Sequence, residues 1–78
     1  MKILLKGYCA KVDIIDDNTI YKGYPAEGTV SENTGTWAIE KLTRDPGTGI
    51  WTILWAEGTE ECIFKWSDRT TLVYEFLT

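Results

Sequence analysis

Twelve carboxylates, eight basic side chains, no histidine and two cysteines define what chemistry this 78-residue chain can attempt. Without histidine there is no Ser-His-Asp or Cys-His nucleophile system and no imidazole metal ligand. The acids are the remaining candidates for catalysis. Asp13, Asp16 and Asp17 lie close in sequence, as do Glu57, Glu60 and Glu61. A hydrolase built on paired carboxylates needs two of them held at a defined separation across a cleft. Both groups fall instead in turn-forming stretches, where acids are ordinarily solvated. Asp16-Asp17-Asn18 lacks the spacing of an EF-hand loop. Cys9 and Cys62 are too few for a zinc site or a disulfide framework. Their places in the alternation put them on opposite faces of their strands, as free thiols. The glycines sit in turns and strand bends rather than ahead of a helix, so there is no phosphate-cradling loop. These residues predict no enzyme, no cofactor and no metal.

The aromatics offer a second kind of chemistry. Tyr21, Tyr24 and the four tryptophans can stack on bases or sugars. Their alternation assigns most of them to a core. Tyr21 is opposite Ile20 in phase and is the aromatic expected at the surface, where a partner would cover it. Arg69 follows Asp68 in a tight connection. Its guanidinium either packs on a ring or pairs with a carboxylate inside the chain, or it reaches across a subunit boundary.

The elements that must position these groups are strands. Trp37 and Ile39 share one face; so do Trp51, Ile53 and Trp55; so do Cys62, Phe64 and Trp66; so do Leu72, Tyr74 and Phe76. Period-2 alternation marks strands with one face buried and one wet. The expected strands are 2–6, 8–15, 19–24, 36–43, 50–56, 61–66 and 70–77. Asp16-Asp17-Asn18 and Arg44-Asp45-Pro46-Gly47-Thr48-Gly49 are hairpin turns. Between Trp37-Ile39 and Leu42 the alternation slips, which predicts a β-bulge near Glu40-Lys41. The Pro25–Gly35 stretch, with Val30 as one apolar residue among turn-formers, is the longest loop. It is either a plain crossover or a contact loop.

No window shows helical spacing. The fold class is all-β: one domain over residues 1–78, forming a small antiparallel barrel or a two-layer sandwich of six to seven strands with no significant helix. A chain this short buries only about 60% of its unfolded surface. Its core is correspondingly small, and association between copies is expected to bury the remainder. The net charge of −4, with scattered bases, disfavours nucleic acid as partner. Met1-Lys2-Ile3-Leu4-Leu5 is too short for a signal-peptide core and nothing approaches a membrane span, so a soluble protein made without export is expected.

Three motifs carry a resemblance. Trp37-Ala38-Ile39-Glu40-Lys41-Leu42-Thr43 resembles W-x-I-x-[RK]-[IL]-T. Trp55-Ala56-Glu57-Gly58 resembles W-A-[DE]-G, and Trp66 to Tyr74 resembles W-[DS]-[DN]-R-x-x-L-x-Y. In this order they look like a family of short proteins encoded in the structural-gene regions of tailed bacteriophages. Weaker likeness reaches Tyr21-Lys22-Gly23 and Gly28-Thr29. Ser67 stands where the family commonly has an acid, and residues 1–15 carry no motif. The resemblance implies a non-enzymatic virion protein, made in the bacterial cytoplasm and acting as a decoration, connector, neck or tail component. Its partners would be other virion proteins or copies of itself. The expected contact residues are Tyr21, Tyr24, Pro25, Glu27, Val30 and Arg69, together with the N-terminal edge strand. The alternatives are a small barrel that grips single-stranded nucleic acid or a glycan, and a free phage inhibitor of a host protein.

Overall fold

The computed structural model describes residues 7–78, so the strand expected at 2–6 lies outside the described residues. Five strands form one antiparallel sheet in the order of the sequence: β1 (Lys11–Asp16), β2 (Thr19–Pro25), β3 (Trp37–Arg44), β4 (Trp51–Ala56) and β5 (Tyr74–Glu75). Short polar turns make this meander the cheapest topology, since each strand pairs with its neighbour in sequence. Asp16 closes the first hairpin by accepting the Asn18 N–H at 2.8 Å. Asp45 does the same for the Gly47 N–H at 2.8 Å in the turn between β3 and β4, where Gly49 takes φ 76°.

Among the described residues the fold is all-β as expected, but the sheet does not close into a barrel and has five strands rather than six or seven. The difference lies after β4. Residues 61–66, expected as a strand, make a single bridge, Phe64 to Trp37, and then a 3-10 turn at Trp66–Asp68. Residues 70–77 contribute only Tyr74–Glu75 to the sheet. The alternate burial of Cys62, Phe64 and Trp66 is real. It comes from a segment that leaves the sheet and lies across it, so the second layer is irregular chain.

That segment covers one face. Tyr21, Trp37, Ile39 and Ala56 meet Phe64 and Trp66, with Leu72 and Tyr74 packed at the side. The Trp66 indole stacks against Trp37 at 5.9 Å and rests directly on Gly23. A Cβ at position 23 would come within 2.6 Å of the Trp66 ring, so only glycine lets the indole approach the strand. The opposite face holds a smaller cluster of Ala26, Ala38, Trp55 and Cys62, with Tyr24 beside it.

β3 is the central strand, and it corrects the expected bulge. Its register against β2 runs unbroken from Thr19–Thr43 to Pro25–Trp37. Trp37, Ala38, Ile39 and Glu40 are all buried. The alternation slips because the first half of β3 is covered on both faces, which erases the period-2 contrast. The bulge sits in β1 instead, between Ile14 and Asp16.

Candidate interaction surface

Arg69 leaves the 3-10 turn with its side chain directed at β1. Its Nε donates to Asp13 Oδ2 at 2.8 Å, and Nη2 lies 2.8 Å from the same oxygen. Nη1 donates to the Trp66 carbonyl at 3.3 Å, and the guanidinium stands 4.6 Å over the Trp66 ring. Tyr74 donates its hydroxyl to the Arg69 carbonyl at 2.7 Å. Ring packing and carboxylate pairing are therefore both present within one chain. Burial pushes the Tyr74 phenol up from its ordinary range, because the ionised form would lose its solvation, and the charge of Tyr21 adds to this.

The long loop is tied down along its inner side. The Thr29, Thr34 and Thr36 hydroxyls are linked at 2.7 and 2.9 Å, the Trp37 indole donates to the Ser31 carbonyl at 3.0 Å, and the Ser67 N–H donates to Glu32 O at 3.2 Å. Lys11 reaches Glu32 at 2.8 Å. That hydrogen bond and the lysine charge hold the Glu32 carboxyl below its ordinary value. With its stem fixed, the loop presents Glu27 and Val30 outward, and Val30 is 91% exposed. Between β1 and the 3-10 turn lies a wide-mouthed depression of about 410 Å³, lined by Ala10, Lys11, Val12, Asp13, Trp66 and Arg69. Its charged groups are already paired with one another or with Glu32, so it offers no converging catalytic set.

On the opposite face, the Tyr24 hydroxyl donates to the buried Glu40 carboxylate at 2.9 Å, and its ring meets Trp55 at 5.6 Å. Burial, then the hydrogen bond and charge of Glu40, push the Tyr24 phenol upward. Among the described residues, nothing covers the face beyond this cluster. The register aligns Ile14, Ile20, Leu42 and Ile53 in one line across four strands. Ile14 is 67% exposed and Ile53 49%, while Ile20 and Leu42 are half-buried. Val12 and Trp51 are exposed on the same face.

The expected contact residues scatter. Val30 and Glu27 stand at the loop surface, Pro25 and Tyr24 are half-buried at the end of β2, and Arg69 lies in the Asp13–Trp66 cluster. Tyr21 corrects the expectation of exposure. It is 7% exposed, packed 5.6 Å from Tyr74, because the face it shares with Ile39 is the one the C-terminal segment covers. Trp51 and Ile53 correct it in the other direction: they share the face of Trp55 but stand in solvent, because the covering cluster stops at Trp55. The acids do not converge. Asp13 is committed to Arg69 and Asp16 to its own turn, and no group of three acids or thiols gathers as a metal site among the described residues. Cys9 is exposed, and Cys62 is buried with its thiol donating to the Tyr24 carbonyl at 3.6 Å. Turn position sets only the Leu42–Ile53 pairing across the tight β3–β4 hairpin; the long loop between β2 and β3 and the bulge in β1 leave the rest of the line to the structure. No protein-family model, curated protein or solved structure matches the chain.

Proposed function

We propose that the chain is a non-enzymatic structural protein of a bacteriophage particle, a decoration, connector, neck or tail component that works through protein–protein contacts. One observation supports the contact role above the others: a four-strand aliphatic line, with Val12 and Trp51 beside it, is left in solvent by a protein that seals its other sheet face. Contiguous exposed apolar surface is what an interaction site requires. The phage assignment rests on the resemblance. The residues that carry that resemblance, Trp37, Trp55, Trp66 and Tyr74, lie in the packed clusters or against them, and Arg69 braces Trp66. They serve as scaffold, and contact falls to the surfaces between them. In a particle, many copies in register make small interfaces adequate through avidity.

Mass spectrometry of purified particles of the encoding phage tests this reading. The chain is expected in a fixed, repeated stoichiometry with the other virion proteins. Its absence from particles, with one host protein captured instead at defined stoichiometry, would overturn it in favour of a free inhibitor. Salt-sensitive binding of single-stranded DNA would overturn it in favour of a nucleic-acid module.

A further inference from the structure

The two outer edges of the sheet are built differently. β1 carries Lys11, Asp13 and Asp16, ties the first two to Glu32 and Arg69, and is broken by a bulge. Charge and bulges are the devices that keep an edge from pairing with other chains. β4 has none of them over Trp51, Thr52, Ile53 and Leu54. β5 pairs only with Trp55 and Ala56, so the rest of that edge is open among the described residues. The Arg44 N–H donates toward β2, to Asn18 O at 2.9 Å. Arg44 stands opposite Trp51, so in an antiparallel ladder Trp51 and Ile53 turn their N–H and C=O groups outward.

We propose that two copies of this chain pair edge to edge through β4, antiparallel about a two-fold axis at Thr52. This rests on the contact reading above and names its partner as a second copy. The register follows from the residues. A two-fold at Thr52 sets Trp51 against the partner's Ile53 on one face, and Thr52 against the partner's Thr52 and Ile50 against the partner's Leu54 on the other. Ile50, Trp51 and Ile53 are 64%, 39% and 49% exposed in one chain, and each gains a cross-strand apolar partner. No charge meets its like, because Ile50 to Leu54 are uncharged. A register moved one pair further along would drive the partner strand into β5, which begins opposite Trp55. The turn does not obstruct, since Gly49 N–H donates to Asp45 O and folds the chain back toward β3. The pairing also brings the two aliphatic lines side by side, offset by two residues, with Ile53 of each copy against the partner's Trp51. Five residues of edge bury less than the roughly 1,200 Å² of a standard interface, so the dimer is weak and concentration-dependent.

Sedimentation equilibrium from about 10 µM to about 1 mM reads this directly. The wild-type mass is expected to rise toward twice the monomer. Thr52→Lys and Thr52→Glu each place like charges at the axis and are expected to stay monomeric, while an equimolar mixture of the two regains the dimer. Ile14→Lys, on the uncovered face and far from the β4 edge, is expected to dimerise as the wild type does. Far-UV circular dichroism confirms that each variant folds. In the wild type, amide exchange at Trp51 and Ile53 is expected to slow with concentration. A wild type that stays monomeric throughout, a Thr52→Lys protein that still dimerises, or loss of the dimer in Ile14→Lys would each overturn the edge pairing, the last by assigning the contact to the sheet face. These outcomes are read in solution, so they are independent of whether particles contain the chain.

Discussion

The two faces of the sheet begin with similar material and end differently. One sets Tyr21, Trp37, Ile39 and Ala56 beneath Phe64 and Trp66. The other sets Ile14, Ile20, Leu42 and Ile53 beneath nothing among the described residues. Both obey the alternation of a strand. What separates them is the path of the chain after β4, which lays Phe64 and Trp66 over the first face and reaches the second only with Cys62, beside Trp55. Alternation therefore reports which residues share a side, and the route of the following chain decides which side becomes core.

The largest test of this contrast is a pair of substitutions. Trp66→Ala removes the main cover of the sealed face and should cost about 3–5 kcal/mol in urea unfolding. Ile14→Ser on the open face should stay within about 0.5 kcal/mol. Equal costs would show that the second face is buried after all. Next in size is Gly23→Ala. The added methyl lands on the Trp66 and Trp37 rings, and the displaced indoles should lower stability by about 1–3 kcal/mol. A neutral result would mean that the indole does not rest on β2.

The smallest effect is alkaline. The Tyr24 and Tyr74 phenols hold their protons more tightly folded than unfolded. Their contribution is complete below the unfolded value of about 10, and it is lost as pH rises past that point toward the raised folded values. Stability should fall above that pH, and tyrosinate absorbance at 295 nm should lag until the protein opens. Tyr74→Phe should weaken the pH dependence and Tyr24→Phe should do so separately, one on each face.

Much of the fold was readable in advance, for local reasons. Asp16-Asp17-Asn18 and Asp45-Pro46-Gly47 close hairpins through their own side chains and backbone angles, so β1 to β4 could be placed from sequence. The alternate burial at 62, 64 and 66 was also legible. The misses share one cause. Tyr21, Trp51 and Ile53 were assigned to the wrong environment because exposure depends on distant chain crossing the sheet. The apparent bulge at Glu40-Lys41 was burial on both faces. The strand count failed at 61–66 because a segment that packs across a sheet alternates as a strand does. Val30 and Glu27 are exposed at the loop, whereas the β4 edge carries no motif and appears only once the neighbouring strands are placed.

The bulge between Ile14 and Asp16 has a consequence for how far accretion can proceed. A sheet with two receptive borders grows copy upon copy into a fibril. Here the β1 border is kinked and charged, so a pair joined through β4 presents only refractory rims to any newcomer. If copies pair through β4 as proposed, growth would end at two, and the apolar edge would be spent inside the pair rather than offered to a fibril.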